Sequence, residues 1–249
     1  MDYYLKNTAL YFQVKEAIKK YIRENNLKPG EQLFSEQQMM KMYGVSRITL
    51  RRALDELEQE GVIYKIHGKG SFVAMRIKAQ LSYLSSFTED MENRGYKTHA
   101  KVLENTIINP PQDVKQNLNL NDEEKVILVN RVRYANDQPI AVEKCYMPAE
   151  RFKSILDKDL SHMSINKIMQ TEHNVIFSHA KQWIGTHIST KYLTRIFNLG
   201  KPIAILAMKR LVFDIQGRPV QYTLSYYRGD MYEYEIILPM KSERTEKLL

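Results

Sequence analysis

The chain has 249 residues, 43% hydrophobic and 27% charged, a globular composition with room for two domains of ordinary size. Its net charge of +8 and sequence pI near 9.3 favour a polyanionic partner. A single cysteine, Cys145, excludes an intrachain disulfide and a cysteine-rich zinc site; no apolar run approaches the roughly 18 residues of a membrane span, and the N-terminus lacks the apolar core of a signal peptide. The expectation is a cytoplasmic chain with no membrane partner. Charge is unevenly spread. The first 76 residues carry 13 Lys and Arg against 9 Asp and Glu, the remaining 173 carry 24 against 20, so the same excess is about twice as dense at the N-terminal end.

In chain order, Val14, Ala17, Ile18, Tyr21 and Ile22 form one stripe of a helix over residues 11–25, which Asn25-Asn26 and Pro29-Gly30 end. Ser35-Glu36 opens a second helix through Met39, Met40 and Tyr43, stopping at Gly44. Ser46 is the predicted N-cap of a third, whose Leu50, Ala53, Leu54 and Leu57 recur at i, i+3, i+4, i+7 and which closes at Gly61. Two short helices joined by a tight glycine-containing turn make a helix-turn-helix. Arg47 and Arg51, four apart, share a face different from the stripe. Such a face suits the major groove, where arginine donates two hydrogen bonds to guanine; a solvated charged face is an equal alternative for the helix alone. Val62–Ile66 and Ser71–Ala74 read as strands of a hairpin with His67-Gly68-Lys69-Gly70 at its tip, an ordinary hairpin by itself and a wing beside the helix-turn-helix.

Residues 9–74 resemble the winged helix-turn-helix of GntR-type bacterial transcription regulators. The resemblance rests on Leu27-Lys28-Pro29-Gly30-Glu31-Gln32-Leu33, Ser35-Glu36, Gly44-Val45-Ser46-Arg47-Ile48-Thr49-Leu50-Arg51 and Gly61 through Gly68-Lys69-Gly70-Ser71-Phe72-Val73. It implies DNA contacts from Ser35, Gln37, Ser46, Arg47, Thr49 and Arg51, and from His67, Gly68 and Lys69 of the wing. Phe34 departs from the usual proline, and Gln37 from an arginine that contacts DNA in many members. Glutamine prefers adenine in bidentate contact, which implies a different operator base there.

Residues 76–82 read as a short mixed linker. Beyond it, Ser85–Met91 resembles a helix start capped by serine and threonine, where free N–H groups favour an anion, although plain capping is the commoner use. Lys125–Tyr134 and Ile140–Met147 form a predicted hairpin about Asn136-Asp137-Gln138-Pro139. Helices are expected at Ser164–Met169 and Thr190–Phe197, a second hairpin from Ile203–Phe213 to Val220–Tyr227, a last strand at Glu233–Leu238 and a polar tail over 241–249. Arg131 and Arg133, two apart on one strand, point to the same face, as Glu143 can from its partner. The trio is either an anion cradle or an exposed ion-pair ladder, the ladder being the commoner arrangement.

Residues 83–240 are similar to the UTRA ligand-binding domain of the HutC-like branch of the same family. Ser86-Phe87-Thr88-Glu89-Asp90-Met91, Arg131-Val132-Arg133, Pro139 with Glu143 and Pro148, Gly217-Arg218-Pro219-Val220 and Tyr227-Arg228-Gly229-Asp230-Met231-Tyr232 carry the resemblance. It implies a chorismate-lyase-like fold and a pocket built from Ser86, Phe87, Thr88, Arg131, Arg133, Glu143, Ser164 and Tyr227, with Asn166 and Gln221 replacing the usual tyrosine and glutamate.

The expected fold is therefore α+β: a winged helix-turn-helix at 1–75, a linker at 76–82, and an antiparallel-sheet UTRA domain for effector binding and dimerisation at 83–249. The expected function is a ligand-responsive repressor, not an enzyme. Its expected partners are double-stranded operator DNA, bound as a homodimer on a pseudo-palindrome, and a small phosphosugar-like anion. No cofactor or metal is expected, since the six histidines lack ligand spacing and no nucleophile–base pair is visible. A lyase-like enzyme and a ligand-independent architectural DNA-binding protein are the alternatives.

Overall fold

The computed structural model describes residues 9–66, 68–74, 77–80 and 85–236. The chain opens with α1 (Leu10–Glu24), α2 (Glu36–Tyr43) and α3 (Arg47–Gln59), followed by the hairpin β1 (Ile63–Ile66) and β2 (Gly70–Val73). Local chemistry sets these boundaries. Ser35 and Gln38 form a reciprocal capping box at the start of α2. Gly44 ends that helix with φ +61°, a left-handed conformation that glycine adopts without steric cost. The Ser46 hydroxyl then accepts from the Thr49 N–H to start α3. The predicted stripe Leu50, Ala53, Leu54 and Leu57 is fully buried against Val14 and Ile18 of α1 and Met39 of α2. Lys15, also buried, donates to Glu56 at 2.9 Å and Glu60 at 2.8 Å and so locks α1 to α3.

The second half comprises β3 (Ile77–Gln80), α4 (Phe87–Asn93), β4 (Thr98–Ile108), α5 (Gln112–Leu118), β5 (Val126–Ala135), β6 (Gln138–Pro148), α6 (Ala149–Phe152), α7 (Ile165–Thr171), β7 (Phe177–Ile188), α8 (Lys191–Ile196), β8 (Ala204–Asp214), β9 (Pro219–Arg228) and β10 (Tyr232–Glu235). Six strands make one antiparallel sheet in the order β4-β5-β6-β9-β8-β7. Both faces are covered, which is why β5 is an almost unbroken buried run rather than an alternating one. On one face Ile127, Val129, Cys145 and Met147 pack against α6 and α7, while Ala141, Met208 and Tyr227 pack against Phe87 and Met91 of α4. On the other, α5 covers Val126 and Leu128, and α8 covers Val132 and Val142.

Three features depart from the expectations. The stretch read as linker contains β3, which pairs in parallel with β10, Ile77 opposite Tyr232. Ile77 is 1% exposed and its N–H donates to the Met231 carbonyl at 2.7 Å, which anchors the strand. The turn after β5 uses only Asn136 and Asp137, both at positive φ; Gln138 and Pro139 already belong to β6. The edge strands β4 and β7 were unforeseen, and so was α5. β7 exposes nine of its twelve residues and β4 five of its eleven, on both faces, so neither shows the alternation that announces a half-buried strand. His67, residues 81–84, the end of the last predicted strand and the tail 241–249 lie outside the described residues.

Candidate functional site

Two surfaces gather the residues singled out by sequence. The first is the outer face of α3. Arg47 and Arg51 are exposed there, as is Ile48 between them, while the Thr49 hydroxyl lies 3.0 Å from that of its cap Ser46. Among the described residues Arg47 has no polar partner. Arg51 meets Glu36 at 3.2 Å in an exposed pair of little energetic weight. Arg52 is not part of this face, because its guanidinium stacks on Tyr11 of α1 at 3.8 Å. Gln37 is exposed on α2, and the Ser35 side chain is engaged in its cap. Gly68 and Lys69 stand exposed at the wing tip, where the Lys69 carbonyl accepts from Gln32 at 2.6 Å.

The second is a cavity on the α4 side of the sheet. Register explains its contents. Arg131 stands opposite Glu143, Glu143 opposite Ser225, and Ser225 opposite Met208, one row across four strands. The row two residues along carries Arg133, Ala141 and Tyr227; the row on the other side carries Cys145, Thr223 and Arg210. α4 lies over these rows and brings Ser86, Phe87 and Thr88, while the start of α7 brings Ser164 and Asn166. All ten residues inferred from the UTRA resemblance line this one cavity, with Gln221 donating to Asn166 at 3.1 Å. Ser85, Asp90, Arg210, Thr223, Ser225, Tyr232 and Tyr234 line it as well and were not anticipated. For Arg210 a signal existed: an arginine two residues from Met208 in an apolar strand repeats the anomaly of Arg131.

The electrostatics are unbalanced. Arg131 and Arg133 are 3% and 4% exposed, so the exposed-ladder alternative fails. Arg131 donates to Glu143 at 2.7 Å and to the carbonyls of Leu160 and Met163, both at 3.3 Å. Among the described residues Arg133 has no carboxylate of its own: it donates to the Thr88 hydroxyl at 2.7 Å and sits 4.7 Å over the Phe87 ring. Burial first, and the neighbouring Arg131 charge second, push Arg133 down to about 10. Burial alone would raise the Glu143 carboxyl, but Arg131 and Arg133 outweigh it and hold it below the ordinary range. The buried Nε atoms of both arginines lack a hydrogen-bond partner among the described residues. An unpartnered buried guanidinium is costly unless something anionic joins it. Gly229 shapes the end of β9: a Cβ there would meet the Ala204 carbonyl oxygen at 2.7 Å.

Comparison with known proteins agrees with this division. Residues 10–73 match the family model of bacterial regulatory proteins, gntR family, and residues 93–233 match the UTRA domain. The chain is 30% identical over 226 residues to the HTH-type transcriptional repressor NagR of Bacillus subtilis (strain 168), covering 90% of this chain and 93% of that one. It is 29% identical over 236 residues to the mannosyl-D-glycerate transport/metabolism system repressor MngR of Escherichia coli (strain K12), covering 94% and 98%. Among solved structures, PhnF from Mycobacterium smegmatis shares the fold with a TM-score of 0.65 at 18% identity, over 92% of this chain and 100% of that one. With a helix-turn-helix, a wing and a charged cavity on a six-stranded sheet, the chain belongs to the GntR family of DNA-binding transcription regulators and carries a UTRA domain.

Proposed function

We propose that this regulator is a repressor that holds operator DNA as a dimer and releases it when a phosphorylated sugar or related anion fills the cavity beneath α4. The observation that carries the reading is Arg133, a buried cation beside a second arginine with only one carboxylate between them. Phosphate and carboxylate groups match a guanidinium fork, and sugar hydroxyls can donate to Glu143 or pair with Asn166 and Gln221. In this reading residues 1–75 bind DNA through Ser35, Gln37, Ser46, Arg47, Thr49, Arg51, Gly68 and Lys69, together with His67. Residues 83–249 bind effector and dimerise, and 76–82 connect the two. The relatives named as repressors support the direction of control.

Catalysis is not part of the proposal. Burial, with the Glu143 charge, pushes the Cys145 thiol up to about 12, far from a nucleophile's range. No helix of the described residues is long and apolar enough to cross a membrane. The test is fluorescence anisotropy on an operator recovered by in vitro selection, titrated with hexose 6-phosphates. Release at a saturable concentration supports the reading; operator binding indifferent to every phosphosugar contradicts it.

A further inference from the structure

Arg210 occupies the cavity from β8, and its guanidinium forks between two neutral acceptors. Its Nε donates to the Gln182 side-chain oxygen at 2.7 Å and its Nη1 to the main-chain carbonyl of Ser85 at 3.0 Å. Ser85 immediately precedes Ser86, the cap of α4, and is joined through residues 81–84 to β3, which follows the wing. The cavity wall is thus tied by this cation to the chain that leads to the DNA-binding head.

Space and charge both bear on this tie. The cavity has a volume of about 60 Å³ and is partly open to solvent. An anion placed in it lies against the start of α4, whose Ser85, Ser86, Phe87 and Thr88 form part of the wall. Three contacts hold the start of α4 over the sheet: Arg210 to Ser85, Arg133 to Thr88 at 2.7 Å, and the Tyr232 hydroxyl to Asp90 at 3.2 Å. Glu143 matches Arg131 and Arg94 matches Asp90, which leaves Arg133 and Arg210 as two cations without a carboxylate partner among the described residues. A phosphate monoester, with close to two negative charges, balances both; a monocarboxylate does not. An ionised acceptor also hydrogen-bonds roughly twice as strongly as a neutral one, so it displaces the Ser85 carbonyl.

We propose that Arg210 is a shared ligand, holding the Ser85 carbonyl while the cavity is empty and exchanging it for the phosphoryl group of a dianionic effector, which frees the segment leading to the wing. This rests on reading the cavity as the effector pocket. The test uses the full chain as wild type, Arg210→Ala and Arg210→Lys. Amide hydrogen exchange at residues 85–88 and affinity for the selected operator are measured without ligand, and calorimetry follows binding of glucose 6-phosphate, glucosamine 6-phosphate and inorganic phosphate. Losing one hydrogen bond to a charged donor predicts exchange faster, and operator binding weaker, by about tenfold in Arg210→Ala. Arg210→Lys, which keeps the charge and cannot fork, retains anion binding and shows intermediate exchange, and it keeps the test open should the alanine variant fold poorly. Wild-type exchange and operator affinity in Arg210→Ala overturn the tie to Ser85. Equal phosphate binding by wild type and Arg210→Ala overturns the role of Arg210 as ligand while leaving the pocket standing. Faster exchange in the variant, with none of the three phosphates bound by wild type, keeps the tie but sinks both the exchange for phosphate and the pocket reading.

Discussion

At the scale of single residues, the two surfaces differ in how their cations are held. Arg47 is exposed and without a polar partner among the described residues, so it is free to fork onto a guanine. Arg47→Ala is expected to cost about 1–3 kcal/mol of operator affinity and to relax preference at one base pair per half-site. Lys69→Ala should weaken all sequences alike and flatten the salt dependence; selection from a randomised half-site library distinguishes the two, and a uniform loss with Arg47→Ala would remove it from base reading. Arg133 is the opposite case, a cation buried without its own carboxylate. Replacing it by methionine removes a buried charge without a carboxylate of its own, so it should stabilise the ligand-free protein and abolish release by effector. Glu143→Gln, which removes a charge but keeps a polar group, should weaken effector less. Release of Arg133→Met at the wild-type effector concentration would place the anion elsewhere.

Among the elements, the β8–β9 hairpin shows how a buried charge can hold a turn. Asp214, 2% exposed, accepts from the N–H groups of Gln216 and Arg218 and from the side chains of Arg218 and Arg151, all between 2.8 and 3.0 Å. Burial would raise its carboxyl, but these donors, Arg218 foremost, bring it to about 2. A folded value below the unfolded one means a contribution present above pH ~4 and lost as pH falls from there toward 2, worth about 2 kcal/mol. Asp214→Asn should therefore lower the urea midpoint at neutral pH, and its deficit relative to wild type should shrink below pH 4. A deficit that stays constant with pH would mean the carboxylate charge is not what matters. The other hairpin, β5–β6, needs no such charge because Asn136 and Asp137 adopt the left-handed conformation themselves.

For the whole molecule, the head and the sheet domain meet lightly. A cleft of about 470 Å³ opens between the wing and the region around Phe197–Lys201 and Arg228–Met231, and beside it the Tyr64 hydroxyl accepts from Gln138 at 2.8 Å. Such a join leaves room for the head to change its angle, which is what a ligand must bias if it is to alter DNA affinity. The operator must in turn weaken effector binding by the same factor. One head reaches one major groove, and a second groove lies about 34 Å along the duplex, so high affinity requires two chains. Light scattering at micromolar concentration should report a dimer that persists when the first 75 residues are removed. A monomer in the full chain would contradict the assembly proposed here.

Much of the head was legible because its signals are local. Ser35, Gly44 and Ser46 act on backbone atoms within four residues, and the stripe from Leu50 to Leu57 needs only helical geometry to become one buried face. The common face of Arg131 and Arg133 was equally legible, since strand parity follows from the pleat. What lies opposite that face was not. Sheet order places β6 beside β9 rather than beside a sequence neighbour on both sides, and this brings Tyr227 to the arginine rows, with Arg210 and its tie to Ser85 one strand further on. The pairing of β3 with β10 joins residues some 155 positions apart, Ile77 opposite Tyr232. The edge strands expose both faces and carry no alternation to read. By itself the sequence determined the helices and turns of the head, and which cations are out of place in an apolar strand, because those are short-range properties of the chain. Only the tertiary structure decided which of those cations are buried, which share a cavity and which are left unbalanced, because burial and Coulomb balance depend on neighbours that the chain brings together from far apart.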